Sequence, residues 1–501
     1  MSPEQGHTTD MSLLVNRILP ARPMTTLADY ETVGGGEGLA AARKVEPIAI
    51  VEELDASGLR GRGGAGFPTG RKWRTVLENA SADLATTVVV NAAEGEPGTF
   101  KDRAILLANP YQVLEGALIA AVVTGASEVV VATKATFTDV VARVRAAVDE
   151  VVAAGWADGM TIAVHEGPSE YLFGEETALL ESIDGRPPFP RIAPPFRRGV
   201  VEVVEHAADL DTGSGLAAHV DMAGASDSDV APPALVDNVE TLANVPGIVR
   251  EGAAWFREFG TKDSPGTIVC TITGAVVAPN VAEVPMGTTL RQAIVEIGGG
   301  SRPEHAITAV LTGVSSAPVP PLLLDVELTY EAMAKVGSGL GSAGYIVLDD
   351  DDDVVAAFAG MARFLAVESC GQCTPCKQDG LAISDVLDRI VRNEAAPDDI
   401  EQLEHKTSTV ADGARCSIGI QQEAIATALA STFADQLTAH VQATVPAAAP
   451  MVIAELVSVS PREVVVDLRH AEKHPDWTYG PEWSGEAPVD RFTDHREDAS
   501  P

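Results

Sequence analysis

Four of the five cysteines fall into one pattern. Cys370, Cys373 and Cys376 are spaced C-x2-C-x2-C, and Cys416 follows forty residues later in Ala414-Arg-Cys-Ser-Ile-Gly419. Thiolates bind soft metals, and three on one tight turn can take three corners of an iron–sulfur cube that a remote fourth closes. Zinc is the alternative. Structural zinc sites tend to pair their ligands in knuckles of two, so this spacing favours a [4Fe–4S] cluster. Cys270 lies in a β-type run and reads as a buried apolar residue. Disulfides are not expected from cysteines grouped this way.

A second concentration of chemistry is Ser57-Gly-Leu-Arg-Gly-Arg-Gly-Gly-Ala-Gly-Phe-Pro-Thr-Gly-Arg-Lys-Trp-Arg74. Glycines 58, 61, 63, 64, 66 and 70 sit among the cations Arg60, Arg62, Arg71, Lys72 and Arg74. Glycine reaches positive φ cheaply and admits close approach to the backbone. Several N–H groups can then face one anion, so the stretch describes a phosphate cradle. Gly61, Gly63 and Gly66 also fit G-x-G-x-x-G, but that fingerprint needs a preceding strand and an acid about 20 residues on. Here Pro47–Ser57 is spaced like a short helix, and the strand-like run Thr87–Val90 ends in Asn91. The loop reads as a phosphate binder of a different build, with a flexible surface loop as the plain alternative.

The background makes that loop conspicuous. Across 501 residues, 35 Lys plus Arg face 72 Asp plus Glu, a net charge of −37, which excludes nucleic acid and anionic membrane as partners of the whole surface. A local basic site in such a chain points to a ligand. Apolar residues make up 46%, enough for large cores in two to four domains. Residues 1–20 lack a signal-peptide pattern, and the longest apolar stretch, Val113–Ala126, carries Glu115 and is short for a span. A cytoplasmic protein is expected, with no direct membrane insertion and any membrane association made through partners.

The elements that must position these residues follow in order. Residues 1–45 read as an N-terminal arm with limited structure. Thr86–Val90 is a buried strand running into the turn Asn91-Ala-Ala-Glu-Gly-Glu-Pro-Gly-Thr-Phe-Lys-Asp-Arg103, where Glu94 and Glu96 are either ligand contacts or solvated loop acids. Helix (110–124), strand (128–133), helix (138–154) and strand (160–165) lead to Gly174, with helical periodicity beginning at Glu175-Glu176-Thr177. Acids in a first helical turn are favoured by the macrodipole whether or not a ligand is present. This alternation predicts a largely parallel sheet with helices on both faces. An acidic, small-residue insertion occupies about 200–233, and order returns at Ala234–Asn244. Short β-type runs with one helix (289–297) predict a small α+β domain. Residues 353–440 predict a bundle of about four helices. The polar end from about 471, with Trp477 and Trp483, reads as a partner-binding or disordered tail. The divisions are 1–45, 46–262, 263–350, 351–440 and a C-terminal extension, 441–501.

A cluster moves single electrons, and a phosphate cradle in the same chain suggests a redox nucleotide to feed it. GLRGRGGAGFPTGRKW, NAAEGEPGTFKDR, YLFGEETALLESIDGRPPFPR, VDNVETLANV and ESCGQCTPC occur in that order. Together they resemble the NADH-oxidising flavoprotein subunit of respiratory complex I and the related diaphorase subunits of NAD-linked hydrogenases and formate dehydrogenases. The likeness covers roughly residues 50–440. It implies an α/β Rossmann-like FMN domain, a small α+β ubiquitin-like (SLBB) domain and a C-terminal helical bundle holding a [4Fe–4S] cluster on Cys370, Cys373, Cys376 and Cys416. It implies FMN and NAD(H) as further cofactors. Gly61, Arg62, Gly63, Gly64, Gly66 and Lys72 would hold the FMN, and Asn91, Asp237, Asn238 and Thr241 would line the flavin pocket. Phe67 and Phe196 would sandwich the adenine. Glu94, Glu96 and Glu176 would meet nicotinamide, ribose or ordered water, with Tyr171, Gly174 and Glu175 on the nicotinamide side. The implied partners are a thioredoxin-like [2Fe–2S] subunit and a further iron–sulfur subunit. The implied activity is NADH:acceptor oxidoreduction, with hydride passing to FMN and single electrons passing on. No side chain acts as nucleophile or general base. Ala93, Thr75, Asp237 and Ala193 depart from the family pattern. They leave open a non-catalytic relay or scaffold paralogue that binds NADH weakly. Acids at positions 96 and 176 favour NADH over NADPH, against Arg197 and Arg198 beside Phe196.

Overall fold

The computed structural model describes residues 13–81, 83–192 and 232–491. Its first unit is built on four parallel strands, β1 (Thr86–Ala92), β2 (Ala126–Lys134), β3 (Thr161–Gly167) and β4 (Ala234–Asn238), in the order β3-β2-β1-β4. Val88, Val89 and Val90 are all fully buried, so both faces of β1 are covered and the run needs no polar alternation. Helices Pro110–Thr124 and Val239–Glu251 pack together beside the sheet. Gly116 permits this, because a Cβ there would lie 2.0 Å from the Leu242 carbonyl oxygen. From β1 the chain proceeds to β2 on one side, while β4 returns on the other. The crevice between the carboxyl ends of β1 and β4, where Val90 pairs with Asp237 and Asn91 with Asn238, is therefore the sheet's switch point.

Pro47–Ser57 is a helix, as its spacing predicts, with proline at the start and Gly58 at φ +72° ending it. The N-terminal arm is more ordered than expected. Leu27–Glu31 and Glu37–Ala42 are helices, and Leu27, Tyr30, Leu39 and Ala42 join the first unit's core. Glu115 holds them there: its carboxylate accepts from the Tyr30 hydroxyl at 2.7 Å and from the Gly36 and Leu39 N–H groups at 2.9 Å. The acid that interrupts the apolar stretch is thus an anchor.

The second unit is a mixed sheet, β6-β5-β8-β7, of β5 (Thr267–Gly274), β6 (Asn280–Pro285), β7 (Ile307–Leu311) and β8 (Gly344–Asp349). Its central pair β5–β8 is parallel and its outer pairs are antiparallel. Helix Leu290–Gly298 is held at its start by a Thr289/Gln292 capping box. A second helix, Tyr330–Lys335, was not expected. The third unit holds five helices rather than about four: Val354–Glu368, Thr374–Val391, Asp399–Thr409, Ile418–Ser431 and Ala434–Val441. The C-terminal extension is ordered as far as residue 491, including the described part of the tail from about 471, which was expected to be partner-binding or disordered. Strands β9 (Leu456–Ser460) and β10 (Glu463–Val466) form a hairpin, and short turns at Leu468–Glu472 and Pro481–Trp483 follow it. Most of the 200–233 insertion lies outside the described residues. Among those described, no single helix is long and apolar enough to cross a membrane.

Candidate functional site

The glycine loop lies over the β1–β4 crevice. Its base is closed by Gly61 N–H on the Phe67 carbonyl at 2.8 Å and Thr69 N–H on Leu59 at 3.0 Å. Gly63 approaches Asn238 so closely that a Cβ would lie 3.3 Å from the Asn238 Cβ. Gly64 has φ +122°, and its nearest neighbours, Gly341 and Ser342, stand 3.7–3.9 Å from where a Cβ would be. The N–H groups of residues 63–66 donate to no acceptor among the described residues. Open donors on a glycine turn at a sheet's switch point suit a phosphate.

The cations do not supply that charge as expected. Arg60 pairs with Glu331, Arg74 pairs with Asp55 at 2.6 Å, and Arg71 lies 5.6 Å over the Phe67 ring. Arg62, expected among the cofactor contacts, is buried. Its guanidinium donates at 3.2 Å to the carbonyls of Arg60, Pro265 and Thr267 and to the Tyr330 hydroxyl, while its N–H donates to Thr241 Oγ1 at 2.8 Å. Arg62 therefore fastens the loop to the second unit. Lys72 Nζ lies 2.7 Å from Glu176 and 3.7 Å from Asp237 and donates to the Val236 carbonyl at 2.5 Å. Burial works against its charge, yet Glu176 and Asp237 hold its pKa above the ordinary value. Asp237 also accepts from the Trp73 indole at 2.7 Å.

The acids of the β1 turn are not solvated. Glu94 accepts from the N–H of Asp102 at 2.9 Å and from the Arg103 side chain at 2.8 Å, capping helix Lys101–Ala108. Glu96 accepts from the Tyr171 hydroxyl at 2.6 Å and the Val314 N–H at 2.7 Å, and burial raises its pKa. Asn91 donates to the Gly174 carbonyl at 2.9 Å. Glu175 caps helix Glu176–Ile183, accepting from Thr177 and Ala178 N–H groups at 3.0 and 2.8 Å. Phe67 is half exposed, and Phe196 lies outside the described residues. Beneath Asn238 lies a group that motif reading missed. Fully buried Lys101 meets Asp102 at 2.7 Å, Glu240 at 2.9 Å and Asn238 Oδ1 at 3.2 Å. Lys101, Asp102 and Glu240 stand inside two of the recognised motifs, which was the available signal. Tyr330 had none: its hydroxyl donates to the Gly61 carbonyl at 2.8 Å from another unit.

The four cysteines line one cavity with Pro190, Ser369, Ala414, Arg415 and Ile418. Tetrahedral zinc at ~2.3 Å from each sulfur needs sulfurs about 3.8 Å apart. Among the described residues, the ligand atoms that gather within 4.8 Å of one another belong to His305, Asp349 and Asp350, not to the cysteines. Three cysteines on one turn with a remote fourth, all lining one cavity, suit a cluster rather than the paired knuckles of zinc. Gln372 Nε2 donates to Cys370 Sγ and Arg415 N–H to Cys373 Sγ, both at 3.4 Å. Burial pushes the Cys376 thiol up to about 11, so metal binding must displace protons here. Cys270 is fully buried in β5, as expected.

A parallel sheet with a glycine cradle at its switch point, joined to a cysteine-lined cavity in a helical bundle, defines a flavin and iron–sulfur electron-transfer protein. Comparison with known proteins agrees. Residues 54–247 match the Nuo51 FMN-binding domain, 269–319 the SLBB domain, and 356–440 the NADH-ubiquinone oxidoreductase-F iron-sulfur binding region. The second NADH-quinone oxidoreductase F-type subunit of Rhizobium meliloti is 36% identical over 426 residues, covering 83% of this chain and 94% of that protein. The F-type subunit of Streptomyces coelicolor is 35% identical over 403 residues, covering 79% and 83%. The H2-reduced crystal structure of NAD+-reducing [NiFe]-hydrogenase superposes with a TM-score of 0.70 at 31% identity, covering 84% of this chain and 67% of that one. The chain belongs to the family of NADH-quinone oxidoreductase F-type subunits, the NADH-oxidising FMN and iron–sulfur subunits.

Proposed function

We propose that this chain is a catalytically competent NADH dehydrogenase (diaphorase) subunit that delivers electrons to partner iron–sulfur subunits, one of them a thioredoxin-like [2Fe–2S] protein. The supporting observation is the segment Tyr171–Glu176, which touches both candidate sites. It meets β1 and its turn through Asn91 and Glu96, and it meets the bundle through Glu368, which accepts from Tyr171 N–H at 3.1 Å, and Gln421, which donates to the Tyr171 hydroxyl at 3.4 Å. A segment bonded to both sides fixes the flavin pocket against the cysteine cavity.

When bound, FMN accepts a hydride and releases electrons singly, and a [4Fe–4S] cluster carries them one at a time. In this reading the N–H groups of residues 63–66 hold the phosphate, and Asn91, Asp237, Asn238 and Thr241 line the flavin pocket. Glu94 sets the turn that carries Glu96. Lys72 pairs with Glu176 and Asp237 and holds both in place. Phe67 offers an open ring face for an adenine. Cys370, Cys373, Cys376 and Cys416 hold the cluster. The protein orients and excludes water, and no side chain need act as a base.

The acids near the dinucleotide disfavour an extra 2′-phosphate. Stopped-flow bleaching of the flavin should give a higher kcat/KM with NADH than with NADPH. A preference for NADPH that disappears in an Arg197→Ala, Arg198→Ala variant would reverse the assignment. Full flavin and cluster content with no bleaching by either dinucleotide would establish the non-catalytic relay instead.

A further inference from the structure

We propose that the C-terminal segment, residues 468–491, is an intrachain cap that encloses the Cys370 side of the cysteine loop and protects the cluster. The segment lies beyond residue 440, where the match to the iron–sulfur binding region ends. Its contacts converge on the loop. Val489 N–H donates to the Cys370 carbonyl at 3.3 Å. Ala487 packs over Gly371 so tightly that a Cβ on that glycine would lie 2.5 Å from the Ala487 Cβ. Lys377, one residue past Cys376, is buried, and its Nζ donates to Ser369 at 2.8 Å and to Pro475 of the segment at 2.6 Å.

The start of the segment is fixed just as firmly. Arg363 donates at 2.9 Å to each of the carbonyls of His470, Ala471 and Lys473. Glu368, two residues before Cys370 and fully buried, pairs with Lys473 at 2.7 Å and His470 at 3.1 Å. Phe364 stacks on the His470 ring with centroids 4.6 Å apart. Cys370 and Cys376 are each only 7% exposed, whereas Cys373 and Cys416 are partly exposed. The cap closes one side of the site and leaves the Cys373–Cys416 side as the approach for an electron acceptor. Local opening of the cap frees the Cys370 loop, so a cluster held under it loses iron faster when the cap opens.

The inference rests on the cluster site and not on NADH oxidation. The test compares wild-type protein, a chain ending at Asp467 and the Arg363→Met variant, each reconstituted with iron and sulfide. Iron transfer to a chelator is timed in air, and limited proteolysis reports opening of residues 468–491. Arg363→Met removes three bonds from a charged donor, so opening and iron loss should both accelerate about tenfold or more. The shortened chain should lose iron faster still. NADH reduction of the flavin should keep its wild-type rate in Arg363→Met, so failure of the functional reading would appear separately. Wild-type iron loss in the shortened chain, with four irons bound, overturns the proposal. If that chain does not fold, an Arg363→Met, Lys473→Met variant decides: proteolytic opening with unchanged iron loss overturns the cap just as clearly.

Discussion

Gly64 and Lys72 carry the clearest consequences of single side chains. At φ +122° Gly64 occupies backbone space that β-branched residues avoid, and a side chain there would project into the space between the loop and Gly341–Ser342. Gly64→Val should leave the protein folded but free of flavin, which absorbance of the purified protein at the flavin band would show. A full flavin complement would place the phosphate elsewhere. Lys72 answers two acids, one of them buried Asp237. Removing one partner of such a group leaves uncompensated charge, so Lys72→Met should cost about 2–4 kcal/mol in urea unfolding at pH 7. Because the folded pKa is raised, this stabilisation is complete below the ordinary lysine value near ~10.4 and is lost as pH rises through the folded value. The gap between wild type and variant should be level from about pH 7 to 9 and shrink above ~10.4. A gap that shrinks toward acid instead would show that Lys72 is not the titrating partner.

Among the elements, helix Thr374–Val391 and the turn before Ile418–Ser431 jointly define the cysteine cavity. Three sulfurs arrive from the loop and first turn that open the first helix and one from the turn before the second, so the fourth ligand depends on how the two helices pack. Cys416→Ser should therefore give protein with fewer than four irons and an altered low-temperature electron paramagnetic resonance spectrum, with flavin content unchanged. Zinc without sulfide in the wild type would reject the cluster. The cysteine spacing was legible in the sequence because three ligands on one turn are a local pattern. Phe364 and Arg363, which face the cap, carry no such mark, and the motif that begins at Glu368 does not show what that acid meets. Their partners lie about a hundred residues away, and only packing brings them together.

At the scale of the whole molecule, the three units meet at the glycine loop and the cysteine loop. Arg62 and Tyr330 tie the first unit to the second. Arg62→Ala would orphan the buried carbonyls of Pro265 and Thr267 and the part-buried one of Arg60, and should lower stability by roughly 2–4 kcal/mol. Loosened flavin should accompany that loss, since the same residue's neighbours form the cradle. Equilibrium dialysis against apo-flavodoxin as a flavin acceptor would measure it. Unchanged stability and retention would mean that the second unit does not support the cradle.

Much of the molecule is present in its amino-acid order. The run of buried valines in β1, the glycine-rich turn, the strand–helix alternation and the cysteine spacing are local, and local patterns can be read one segment at a time. The assignment of cations was not local. Arg60, Arg62 and Arg74 look alike beside glycines, yet each is claimed by a residue from another segment, and the anion cradle is left to backbone N–H groups and the strand ends. Glu94 and Glu96 read in the sequence as either ligand contacts or solvated loop acids, and only the fold shows that a helix start and Tyr171 close on them. The polar tail likewise has too few apolar residues to announce a fold of its own. It is ordered because the bundle offers it Arg363, Glu368 and Lys377 as partners. Composition and spacing determined which chemistry this chain can hold. The tertiary structure decided which charges are free for it, because a buried ion takes whichever partner the packing brings within reach.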